Sequence, residues 1–73
     1  MSLLNDFNSI RQSISEEIVI EDYSSEWLEA YIPNRYLPLI TYKLRKIAIE
    51  LEQKYTRPVH LYVNKSRFMI KLK

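Results

Sequence analysis

The stretch Val59–Leu72, VHLYVNKSRFMIKL, decides the fold of this chain. Val59, Leu61 and Val63 alternate with His60 and Tyr62, and Phe68, Ile70 and Leu72 alternate with Arg67, Met69 and Lys71. A period of two is that of a strand with one buried face. Matching the apolar faces sets the register. Val63 opposite Phe68, Leu61 opposite Ile70 and Val59 opposite Leu72 bring all six to one side of an antiparallel hairpin. The turn is then centred on Lys65-Ser66, flanked by Asn64 and Arg67. With no glycine in the chain, Asn64 is the residue expected to take a left-handed backbone. The opposite face displays His60, Tyr62, Arg67, Met69, Lys71 and Lys73.

Before the hairpin the period changes. Leu37, Ile40, Leu44, Ile47, Ala48, Leu51 and Tyr55 recur mostly in steps of three and four, the stripe of a helix. Pro33-Asn34 is a break, and Asn34 is read as the cap of one long helix over about 35–55. Pro38 is tolerated in its first turn, where amide hydrogens lack intrahelical partners. Such a helix would span about 31 Å. It should end near Thr56, since Pro58 biases Arg57 away from helical geometry. Glu50 precedes Lys54 by four, the favourable order for a surface pair. Tyr42 and Ile49 lie far round from the main stripe, one heptad apart, and suggest a second contact surface. Lone exposed apolar residues are also ordinary.

The first third is less regular. Ser2 can cap a helix over about Leu3–Ser15, with Asp6 early, where the helix dipole favours negative charge. Leu3, Phe7, Ile10 and Ile14 form its apolar stripe. Ile18-Val19-Ile20 is β-branched and bounded by acids, and reads as a short strand. Residues 22–32 admit two readings. Asp22 or Ser24 could cap a short helix carrying Trp27, Leu28 and Tyr31. Alternatively Ser24-Ser25 turns the chain and residues 27–32 return as a strand. Trp27, Tyr31 and Ile32 suit a pleated surface and favour the strand. The expected fold is α+β, a single domain over 1–73: an N-terminal helix, short strands, one long helix and a C-terminal hairpin, packed in two layers.

Composition narrows function by exclusion. The chain has 73 residues, no Cys and no Gly. Without Cys there is no disulfide, thiolate zinc site, iron–sulfur cluster or Cys nucleophile. Without Gly there is no Walker loop, dinucleotide-binding fingerprint or nucleophile elbow. No run of 18 apolar residues marks a membrane span and no secretory leader is evident, so a soluble, cytoplasmic protein is expected. The bias toward Ile (nine) over Ala (two) is what AT-rich coding produces, a correlation with phage and plasmid genes. His60 is the one imidazole and lacks a second His or a Cys for metal. Glu52-Gln53-Lys54 matches a short acid-x-lysine element of some nucleases, but on a helix rather than a strand. No cofactor or metal is expected, and the chain is read as non-enzymatic.

Size and charge point to contact. Below roughly 70–80 residues a single core seldom yields more than about 3–5 kcal/mol without a staple or a partner. Residues 1–34 hold seven acids against Arg11, whereas residues 35–73 hold ten bases against Glu50 and Glu52. This split suits either head-to-tail self-docking or a basic surface aimed at an anionic partner. It also suits two halves that neutralise each other within the fold. The leading expectation is a small regulator or inhibitor that binds another protein, as a homodimer, through Tyr23, Trp27, Tyr31, Tyr42 and Ile49. Tyr and Trp are favoured interface anchors, although in so small a domain they also serve to close the core. The alternative is a nucleic-acid binder using Lys43, Arg45 and Lys46 of the helix with His60, Tyr62, Lys65, Arg67, Lys71 and Lys73 of the hairpin. A sheet face with an aromatic among cations can stack bases and hold phosphates. Edge strands, however, also carry lysine merely to prevent aggregation.

Overall fold

Strands β1 (Val19–Tyr23), β2 (Trp27–Tyr31), β3 (Val59–Asn64) and β4 (Arg67–Leu72) form one antiparallel sheet in the order β1-β2-β4-β3. Helices α1 (Leu3–Ile10) and α2 (Thr41–Tyr55) cover one face of it. The architecture is the expected α+β arrangement in two layers. The computed structural model describes residues 2–11 and 17–73. Among them, no helix is long and apolar enough to cross a membrane.

The C-terminal hairpin has the register its alternation requires: Val63 faces Phe68, Leu61 faces Ile70 and Val59 faces Leu72. Phe68, Ile70 and Leu72 are buried, and Val59, Leu61 and Val63 pack against the same core. The turn departs from expectation in one respect. Lys65, not Asn64, takes the left-handed backbone, at φ 56°. Asn64 is paired with Arg67 as the last residue of β3 and must stay extended. The left turn therefore falls on the first of the two turn residues, as tight hairpins require.

Residues 22–32 resolve as strand. The chain turns at Ser25-Glu26, where the Ser24 amide donates to the Trp27 carbonyl at 2.8 Å. The Ser24 hydroxyl accepts from the Glu26 amide. β2 then pairs with both β1 and β4 and is an interior strand. β1 begins at Val19, not Ile18, and runs on to Tyr23, with a slip in register: Ile20 faces Ala30 while Asp22 faces Glu29. Glu21 is the extra residue of this bulge, after which pairing resumes at Asp22 and Tyr23 in a shifted register.

The long helix is shorter than expected at its start. A 3-10 turn spans Leu37–Leu39, Ile40 leaves helical geometry at φ −125°, and α2 begins at Thr41. The reason is tertiary. The Leu37 amide donates to the Lys65 carbonyl at 2.7 Å, so Leu37 is tied to the hairpin turn rather than stacked beneath a helix. Asn34 turns left at φ 60° in the preceding turn and does not cap α2. Thr56 ends the helix in a left-handed conformation, as its position before Arg57-Pro58 suggests. The expected stripe is otherwise kept, with Leu37, Leu44, Ile47, Ala48 and Leu51 buried. In α1, Ser2 accepts from the Asn5 amide as N-cap, and Phe7 meets Phe68 with ring centroids 6.0 Å apart. Residues 12–15 of the expected first helix, Ile14 among them, lie outside the described residues.

The two helices are joined by a polar tie. Asp6, only 6% exposed, accepts from the Tyr55 hydroxyl and forms an ion pair with Lys54 at 2.9 Å. Lys54 thus turns to α1, not to Glu50. The Tyr55 hydroxyl and the Lys54 ammonium hold the Asp6 carboxyl below its ordinary range. Burial and the Asp6 charge push the Tyr55 phenol up to about 12. A lowered carboxyl stabilises the fold above its unfolded pKa, and that contribution is lost as pH falls. A raised phenol stabilises it below its unfolded value of about 10, and that contribution is lost as pH climbs. Stability measured by urea unfolding should therefore fall below about pH 4 and again between about pH 10 and 12. Asp6→Asn should flatten the acid limb and Tyr55→Phe the alkaline one, each costing about 1–3 kcal/mol at neutral pH. Unchanged limbs in both variants would show that the tie carries no stability.

Candidate protein-contact surface

Both helices lie on one side, so the other face of the sheet is open. Register arranges its side chains in three rows. The first row runs Val19, Tyr31, Arg67, Asn64. The second runs Asp22, Glu29, Met69, Tyr62. The third runs Trp27, Lys71, His60. Alternation explains the membership: Leu28 and Ala30 of β2 point into the core at 0% and 1% exposure, which sends Trp27, Glu29 and Tyr31 outward. All three are half-buried by their neighbours, and Tyr62 is 53% exposed.

Several side chains of this face engage one another or the backbone. Arg67 pairs with Glu21, which the bulge in β1 brings across the sheet, and its guanidinium lies 5.5 Å from the centroid of the Tyr31 ring. Glu21 holds the Arg67 guanidinium even more firmly charged. The Asp22 carboxylate accepts from the Tyr23 amide at 2.8 Å. His60 and Tyr62 stack, with centroids 5.9 Å apart and planes 18° from parallel. A shallow depression of about 320 Å³ lies between Tyr62, Met69, Arg67, Glu29 and Glu21. Its lining carries both signs of charge. Among the described residues, no group of three or more His, Asp or Glu side chains is placed to hold a metal ion.

The structure sorts the sequence-derived candidates into separate places. Trp27 and Tyr31 share the open face with His60, Tyr62, Arg67 and Lys71. Tyr23 faces Leu28 in the register and is 58% exposed at the hairpin end, outside this face. Tyr42 and Ile49, 62% and 51% exposed, lie on α2 in the other layer. Lys65 sits in the turn and Lys73 beyond the far end of β4, at opposite ends of the hairpin. Lys43, Arg45 and Lys46 belong to α2. The nine proposed nucleic-acid contacts therefore do not converge on one surface.

Val19, Asp22 and Asn64 join the face without having been sequence candidates, and so do two further acids. Glu29 follows from the alternation Trp27-x-Glu29-x-Tyr31 once residues 27–31 are a strand. Glu21 does not follow from any local pattern, because a bulge shifts the register there. Compared with protein-family models, curated proteins and solved structures, the chain matches none.

Because Trp27 stands on the open side and not in the core, its removal should be mild. Chemical denaturation should find Trp27→Ala destabilising by less than about 2 kcal/mol. Phe68→Ala, at a buried position, should cost about 3–5 kcal/mol. Equal losses would make Trp27 a core residue and not a surface anchor.

Proposed function

We propose that this chain is a small non-enzymatic regulator or inhibitor that acts by contact with another protein, and that it does so as a homodimer. The observation that carries the reading is the chemistry of the open sheet face. Trp27, Tyr31, Tyr62 and Met69 offer broad, stiff, amphipathic area, of the kind that anchors protein interfaces. Around them the charges are mixed: Glu21, Asp22 and Glu29 against Arg67 and Lys71. Such a rim suits a polypeptide surface of mixed sign. Arg67 is held by Glu21, and the described acids and bases do not converge on a reacting point, which favours binding over catalysis.

A second reading keeps some support. Trp27 and Tyr31 add flat rings to the face that already holds Tyr62 and His60, and aromatic sheet faces stack single-stranded bases. Against it, Arg67 is committed to Glu21 and three acids stand where phosphates would run. Affinity for nucleic acid rests on neutralising phosphates, and the slope with salt is about 0.9 per contact on duplex DNA.

Titration with mixed DNA and RNA at low and moderate ionic strength separates the two. We expect no retention even at low salt. Affinity capture from the source cell should retain a polypeptide, and Trp27→Ala should weaken that capture about tenfold or more. The double change Lys65→Glu, Lys73→Glu, at the two ends of the hairpin and away from Trp27, should leave capture through Trp27 largely intact. Salt-sensitive nucleic-acid binding abolished by that double change would replace this reading with the second one.

A further inference from the structure

Both helices lie behind the sheet, so among the described residues no helix stands in the way of a second sheet packed on its open face. Sheets packed face to face keep their strands nearly aligned, about 10 Å apart. At the centre of the face β2 presents Trp27, Glu29 and Tyr31, and β4 presents Lys71, Met69 and Arg67 at the same three levels. Trp27, Glu29, Tyr31 and Met69 are half-buried, whereas Arg67 and Lys71 are exposed. The two strands are thus unlike: one carries rings and an acid, the other cations and a thioether. Among the described residues, the Glu29 carboxylate and the Lys71 ammonium have no ion-pair partner. On the flanks, Asp22 of β1 and Tyr62 of β3 stand level with Glu29 and Met69.

A two-fold axis can lie along this face in two simple ways. An axis perpendicular to the strands lays each strand on its own copy. It stacks Glu29 on Glu29 and Arg67 on Lys71, like charge on like. An axis parallel to the strands, running between β2 and β4, lays β2 on β4 of the copy and keeps each row at its own level. Trp27 then meets Lys71 of the copy and Tyr31 meets Arg67, each a cation over a ring. Arg67 keeps Glu21. Glu29 meets Met69, between that Arg67 and that Lys71, and the unpaired ammonium closes on the unpaired carboxylate. On the flanks the Tyr62 hydroxyl comes to Asp22. Every pair occurs twice, as an isologous interface demands.

We infer that the open face is the interface of a symmetric homodimer, two sheets packed face to face about an axis between β2 and β4, with a second copy of this chain as the occupant. The inference rests on the homodimer proposed above and names its interface: the polypeptide surface of mixed sign is the chain's own. A patch four strands wide and three rows long buries on the order of 1,000 Å² in all, the lower end for a specific interface, so the dimer is a weak one. The helical layers lie outermost, where Tyr42 and Ile49 of each copy stay exposed to a target. Loss of Trp27 then weakens capture by taking the pair apart.

Analytical ultracentrifugation of the full chain, from micromolar to millimolar concentration, tests the interface, with circular dichroism to show that each variant is folded. We expect a monomer–dimer equilibrium that Glu29→Lys and Lys71→Glu each weaken about tenfold or more, since each sets like charges face to face. Mixing those two variants should restore association as a heterodimer, with both cross-pairs again opposite in sign. Tyr42→Asp, on the outer layer, should leave the equilibrium unchanged. A wild-type chain that stays monomeric overturns the inference together with the homodimer it rests on. A dimer that neither charge change weakens, that Tyr42→Asp dissolves, or whose mixed variants fail to associate overturns this interface and leaves the homodimer standing. A monomer whose capture of a polypeptide is lost with Glu29→Lys gives the face to an unrelated partner instead.

Discussion

A sheet of four strands has two faces to protect from water, and this chain carries helix enough for one. α1 and α2 together supply Leu3, Phe7, Leu44, Ile47 and Leu51 to a core that takes Leu28, Ala30, Phe68 and Ile70 from the sheet. No second helical layer is left among the described residues. What lies on the far side must tolerate solvent and still hold its strands together. The sequence meets that demand with side chains that are flat or long and that pair with one another: Tyr31 under Arg67, Tyr62 against His60. The same properties make a surface suited to contact. The exposed aromatic face is the side of the sheet that neither α1 nor α2 reaches.

The covered side has its own economy. With no disulfide and no glycine, the fold relies on a few long-range ties at points where elements would otherwise drift. Asp6 links α1 to the end of α2 through Tyr55 and Lys54. The Leu37 and Ile32 amides hold the loop before α2 against the hairpin turn through Lys65 and Ser66. Arg57 donates to the Lys73 carbonyl at 2.9 Å and reaches Glu26, closing the other end. Part of the charge division along the chain is spent in this way: Asp6 with Lys54, Glu21 with Arg67 and Glu26 with Arg57 each join the acidic first part to the basic second part.

These ties also separate what the sequence made legible from what it did not. The β3–β4 hairpin could be read to the residue, because its register depends only on neighbours across a two-residue turn. The α2 stripe was legible for the same reason: periodicity is local. The start of α2 was not, since a hydrogen bond from Leu37 to Lys65 decides it. Trp27–Tyr31 was ambiguous because an interior strand is defined by two partners, one of them β4, far along the chain. On the candidate surface, the hairpin's contribution of His60, Tyr62, Arg67 and Lys71 was visible early. That Trp27 and Tyr31 join it, and that Tyr42 and Ile49 stand in the other layer, depended on strand order, which no local pattern encodes.

The two borders of the sheet are unlike. β1 is bent by the bulge at Glu21 and carries Asp22, which discourage a neighbour from pairing there. β3 keeps a regular register, and α2 lies along it with the Glu52 carboxylate on its Val59 amide. A protein with two receptive borders can add copies without limit and grow into a ribbon. Here one margin is bent by an inserted residue and the other runs beneath a helix, so a further strand meets an obstacle on either side.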